Sequence, residues 1–113
     1  MLEQQLAESE HKVTYYDKIL ASPGTVTVTQ IAKDYGLSAT KLNKILHVEG
    51  IQYKQSKQWL LYSVHADKGY TKSTTHIDET GEPRMNTRWT QKGRLFIHEL
   101  LTRIGINAVE DEI

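Results

Sequence analysis

Thr40, Lys41, Asn43, Lys44 and His47 fall on one face of a helix-spaced segment, and none of them is apolar. Side chains of these types, so spaced, suit a polyanion. Amide and hydroxyl groups can read base edges, while ammonium groups neutralise phosphates. Leu42, Ile45 and Leu46 occupy the opposite face and would bury it. Catalytic chemistry has no comparable footing. The chain lacks cysteine, which excludes disulfides, thiolate metal sites and cysteine nucleophiles. Its histidines, His11, His47, His65, His76 and His98, lack zinc-site spacing, and no glycine-rich phosphate loop or serine elbow occurs. No enzyme, no cofactor and no metal site is therefore expected; His65, His76 and Asp78 form the one trio that strand pairing could bring together.

The segment that positions this face runs from Val26 to His47 and reads as two short helices around a glycine turn. Thr27 and Gln30 stand three apart before an apolar residue, as in a capping box, so the first helix begins near Val28. Ala32 is small enough for a second helix to cross close above it. Gly36 follows Tyr35 where the chain must leave the helix with a positive φ. Ser38 caps the second helix, over 38–48, and belongs to the same candidate surface. This is the pattern of a helix-turn-helix, which presents its second helix to the DNA major groove. A plain helical hairpin with a solvated polar face has the same pattern.

Charge placement bears on that choice. The 113 residues carry no formal net charge. Residues 1–24 hold two basic and four acidic side chains, residues 25–104 twelve basic and seven acidic, and residues 105–113 three acidic only. The middle is basic, and screening over ~8 Å limits what the anionic ends contribute there. No apolar run approaches the ~20 residues of a membrane helix, and no signal-peptide core opens the chain. A soluble, cytoplasmic protein with no membrane partner is expected.

The remaining elements frame the helical pair. Leu2, Leu6, Val13, Tyr16 and Leu20 fit alternating steps of four and three with Ser9 interrupting the seam, so residues 2–20 read as a short coiled-coil strand. Pairing with a second copy would make a homodimer; packing on the chain's own domain is the alternative. Ala21 to Gly24 break this helix, setting off an arm over 1–22 from a domain over 25–105. Residues 51–62 look like a hairpin turning at Gln55-Ser56-Lys57, and Tyr70–Ile77 with Arg84–Thr90 suggest a second around Asp78–Pro83. Lys68 and Lys72 make the second the better phosphate contact. Trp59 and Trp89 read as core aromatics. Thr90 caps a last helix that Gly105 closes, with Gly93 inside its first turns, where a close backbone approach would explain it. Arg88, Lys92 and Arg94 gather near the start of that helix, as they would around a phosphate; three solvated cations are the alternative. The acidic tail, 106–113, is expected to fray. The fold class is α+β, a winged helix-turn-helix-like domain preceded by a coiled-coil-type helix.

The run TQIAKDYGLSATKLNKIL, followed by IQYKQSKQWLLY, KGYTKS and WTQKGRLFIHELL, resembles the C-terminal KilAC domain of phage antirepressors, from about Tyr15 to Gly105. The resemblance implies DNA binding in lysis–lysogeny control inside the bacterial host cell. It also implies correspondence to the domain that follows a BRO- or Rha-type domain and a helical linker. Two partners stay open at this point: double-stranded DNA, gripped by helix 38–48 and the basic hairpin, or a phage repressor docked on the same helix without DNA.

Overall fold

The computed structural model describes residues 14–112. The first helix, α1 (Tyr15–Ala21), starts from a full capping box. Thr14 Oγ1 accepts the Asp17 N–H at 3.2 Å, and Asp17 Oδ2 accepts the Thr14 N–H at 3.2 Å. Thr14 itself is extended, with ψ 166°, so a helix boundary falls between Thr14 and Tyr15 within the segment expected over 2–20. Tyr15 and Ile19 turn into the core, whereas Tyr16 and Leu20 are 40% and 60% exposed. Leu2, Leu6 and Val13 lie outside the described residues.

Strand β1 (Thr25–Val26) leads into α2 (Val28–Asp34), capped by Thr27 through the Gln30 N–H at 3.2 Å. The Gln30 side chain donates forward to Asp34 instead of back to Thr27, so only half of the expected capping box forms. Gly36 adopts φ 70° and turns the chain into α3 (Ala39–Val48), where Ser38 Oγ accepts the Lys41 N–H at 3.1 Å. Strands β2 (Gln52–Gln55) and β3 (Gln58–Leu61) pair as an antiparallel hairpin through Ser56 and Lys57. A short helix, α4 (Ser63–Ala66), precedes the long ribbon of β4 (Thr71–Ile77) and β5 (Pro83–Thr90). The last helix, α5 (Gln91–Arg103), starts at the Thr90 cap, whose Oγ1 accepts the Gly93 N–H at 3.0 Å.

The fold is mixed α+β with antiparallel sheets. One has the order β1-β5-β4, with Val26 and Thr71 both opposite Trp89; the other is β2-β3. Ile19, Ile31, Leu42, Leu46, Ile97 and Leu101 are fully buried and join α1, α2, α3 and α5 in one core. Each such side chain contributes about 1.5–3 kcal/mol by leaving water. Trp89 closes the core from the sheet, while Trp59 is only half-buried on its hairpin. Among the described residues no helix is long and apolar enough to cross a membrane.

The acidic tail does not fray. It forms a 3-10 turn over Val109–Glu112, with Ala108 fully buried. Asp111 Oδ1 accepts the Tyr15 N–H at 3.1 Å, and Glu110 pairs with Lys18 at 3.0 Å. The tail is held because it supplies an acceptor to a first-turn N–H of α1 that the helix cannot satisfy itself.

A polar network stitches α1, α2 and α5 together. Tyr15 Oη donates to Asp34 Oδ2 at 2.7 Å and accepts from Arg94 Nε at 2.9 Å; Arg94 Nη2 reaches Asp34 Oδ2 at 3.1 Å. Burial pushes the Tyr15 and Tyr35 phenols above their ordinary range, so both remain hydrogen-bond donors. Tyr35 Oη lies 2.8 Å from His98 Nδ1. Burial lowers the His98 pKa below its ordinary 6.5, partly opposed by the carboxylates of Asp111 and Glu99. The unfolded chain therefore binds more protons at this ring as pH falls through 6.5, and stability present above that value is lost below it. The melting temperature is expected to fall from about pH 7 to about pH 5.5, with a shallower fall in His98→Gln. Parallel profiles from thermal denaturation would remove His98 as the cause.

Candidate nucleic-acid interface

The outward face of α3 carries Thr40, Lys41 and Lys44, all exposed; neither ammonium group makes an ion pair among the described residues. Leu42 and Leu46 anchor the helix from behind. Ser38 is exposed, but its oxygen is engaged in the cap. Asn43, expected among the reading residues, is half-buried against β2, where its Oδ1 accepts from Gln52 Nε2 at 3.0 Å. Gln52 also reaches the Asn43 carbonyl at 3.3 Å, so the β2–β3 hairpin clamps the middle of α3.

His47 is exposed, yet its Nδ1 lies 3.0 Å from the Gln52 carbonyl oxygen. A carbonyl can only accept, so Nδ1 carries a proton, and Nε2 is the ring nitrogen left for an outside partner. The ring also rests 5.9 Å from that of Trp59, which fixes its orientation. The hairpin thus sets which atom of His47 faces outward.

The other expected cations separate. Lys68 is exposed beyond α4, and Lys92 Nζ sits 5.9 Å from the Tyr70 ring centroid. Lys72 projects from β4, while Arg88 is half-buried on β5. Arg88 Nε donates to Thr25 Oγ1 at 2.9 Å and its Nη2 to the Thr25 carbonyl at 3.1 Å. Arg94 was expected at the surface and is buried instead: its nitrogens go to Tyr15, Gln91 and Asp34. Arg88, Lys92 and Arg94 do not converge on an anion, because Arg94 points into the core and its charge is neutralised there. His65 packs on Phe96 at 5.2 Å; His65, His76 and Asp78 do not gather as a metal-holding group.

Sequence reading missed what the ribbon does with its remaining polar residues. In the observed register Lys72 faces Arg88, Thr74 faces Asn86 and His76 faces Arg84. The signal was present as basic residues four apart, Lys72 with His76 and Arg84 with Arg88, but it becomes a single face only once the pairing is known. At the tip, Asp78 Oδ1 accepts from the Thr80 and Glu82 N–H groups and from the Thr80 hydroxyl. The Thr80 hydroxyl, then Arg84, hold the Asp78 carboxyl down at about 2. Asp78 therefore stays ionised at any physiological pH, and Glu79 and Glu82 place two further carboxyl groups at the tip. Between the two hairpins lies a cleft of about 470 Å³, walled by Trp59, Leu60, Leu61, Met85 and Trp89 and reached by Asn43 from α3.

The family profile of the phage antirepressor protein KilAC domain matches residues 3–103. No curated protein and no solved structure matches the chain.

Proposed function

From the premise that the chain belongs to the phage antirepressor KilAC domain family, a regulatory and non-enzymatic one, we propose that it binds duplex DNA through the outward face of α3. The observation that carries this reading is a cationic helix face with no carboxylate partner among the described residues, held from behind by Leu42 and Leu46 and from the side by Gln52. Lys41 and Lys44 meet phosphates, and Thr40 and His47 Nε2 meet base edges. The helical pair between β1 and a sheet ordered β1-β5-β4 supports a winged-helix assignment, with β2, β3 and α4 inserted before the wing.

Tyr16 and Leu20, one turn apart and exposed on α1, support pairing with a second copy. Two α3 helices would then engage neighbouring half-sites. The acidic ribbon tip favours the second reading, in which a phage repressor is the partner and DNA is not touched.

Salt titration separates the two. Duplex affinity is expected to fall steeply with salt, and Lys41→Glu with Lys44→Glu to make the slope of log K against log[salt] shallower by about two. No binding to duplex at low salt, together with co-elution with a repressor that survives the same substitutions, would overturn the DNA reading.

A further inference from the structure

The β4–β5 ribbon has two chemically different faces. Thr71, Ser73, Thr75, Ile77, Met85, Thr87 and Trp89 lie on one, which carries no charged side chain. The other presents Lys72, Thr74 and His76 directly opposite Arg88, Asn86 and Arg84. One of those three cross-strand pairs, Lys72 with Arg88, sets two cations against each other, an arrangement that weakens a sheet unless something anionic covers it. Among the described residues a carboxylate pairs with this face at one end only, where Asp78 binds Arg84 Nε at 2.8 Å. Lys72 and Arg88 make no ion pair among the described residues.

Geometry at the base of the ribbon suits a small, doubly coordinated anion. Gly24, Thr25, Lys72, Thr74 and Arg88 line a shallow depression of about 320 Å³. Thr25 holds the Arg88 guanidinium by Nε and Nη2, which fixes its plane before any ligand arrives. From Lys72 to His76 the face extends about 14 Å, the axial rise of roughly four phosphates on one strand of a duplex. The anionic tip, with Asp78, Glu79 and Glu82, would be repelled by the same phosphates.

We propose that the Lys72–His76/Arg84–Arg88 face of the ribbon is a sequence-independent seat for the phosphate backbone of duplex DNA, with its strongest point in the Lys72–Arg88 depression. The ribbon lies flat along the backbone by this face, and its tip is held clear. The proposal rests on the duplex-DNA reading of α3 for its partner, but not for its residues. It carries an internal consequence: the Lys72–Arg88 like-charge pair is retained at the expense of stability because it serves binding.

Fluorescence anisotropy with a random-sequence duplex of about 25 base pairs, at several salt concentrations, tests it. Lys72→Glu places a carboxylate opposite Arg88. It is expected to bind about tenfold more weakly, with a salt slope shallower by about one, equally for duplexes of different sequence. Its melting temperature should stay level or rise by about 2 °C, since a like-charge pair becomes an opposite-charge pair. Asn86→Glu, which leaves Lys72 and Arg88 themselves in place, should also weaken binding. Unchanged affinity in both variants, while Lys41→Glu with Lys44→Glu binds weakly, overturns the ribbon seat and leaves the α3 reading in place. Loss in the ribbon variants with none in the α3 variant does the reverse. Loss of affinity accompanied by a lower melting temperature would mark Lys72 as structural and overturn the proposal, as would a wild-type protein that binds no duplex.

Discussion

Gly93→Ala is expected to destabilise the protein by about 3 kcal/mol, at the upper end of what overpacking by one methyl group ordinarily costs. In an unremarkable helix interior the same change stabilises by up to ~1 kcal/mol, so the expected sign is opposite to the propensity argument. The reason is local crowding. A Cβ on Gly93 would overlap the Tyr70 carbonyl oxygen, and would stand 2.7 Å from Trp89 Cε3 and 2.8 Å from the Tyr70 carbonyl carbon. Neither neighbour can yield cheaply. The Tyr70 carbonyl accepts the Thr90 N–H at 2.9 Å, and Trp89 is a buried core residue paired with both β1 and β4. Moving α5 away would open the packing around Ile97 and Leu101 instead. Thermal denaturation should show a melting temperature lower by about 12 °C or more; an unchanged or raised value would refute the close-approach explanation.

Asp34→Ala should be of similar size, about 3 kcal/mol, because it leaves the Arg94 guanidinium without its counter-ion in a mostly enclosed site. The Arg94 side chain is 11% exposed and that of Asp34 22%, so the pair is neither fully dry nor freely solvated. Tyr15 Oη loses its acceptor in the same variant. Arg94→Met with Asp34→Leu should recover much of the loss, since an apolar pair of similar volume needs no counter-ion. Denaturation of Arg94→Met, Asp34→Leu and the variant that combines them gives the coupling directly, and additive effects would contradict a shared network. Duplex binding provides a second readout. At a temperature where Arg94→Met remains folded, its salt slope should equal that of the wild type; a shallower slope would return Arg94 to the interface.

Local elements were legible to the extent that their determinants were local. Thr27, Gly36, Ser38 and Thr90 cap or turn the chain through neighbours three or fewer residues away; Gly36, Ser38 and Thr90 act as their types and spacing imply, and Thr27 caps its helix without the reciprocal bond from Gln30. Gly93 was legible as an anomaly, although its partners, Tyr70 and Trp89, were not. Arg94 was misread because its spacing placed it beside Arg88 and Lys92. Its partner Asp34 is sixty residues away, and no periodicity links the two. The tail was misread for the same reason: composition marked it as solvated, whereas Asp111 satisfies an α1 N–H that only the closed fold brings near.

The candidate interface divides along the same line. Residue order alone determined that α3 has an apolar and a polar face, because a helix assigns faces by a fixed period that can be counted along the chain. Tertiary structure decided which members of the polar face look outward, withdrawing Asn43 to Gln52 and orienting His47 through a carbonyl and Trp59. It also decided that Lys72 and Arg88 meet across β4 and β5. Strand register depends on pairing between segments, and a slip of one residue would put each basic side chain on the other face. Counting along one chain reveals what each segment can present; only the pairing of segments selects what stands together.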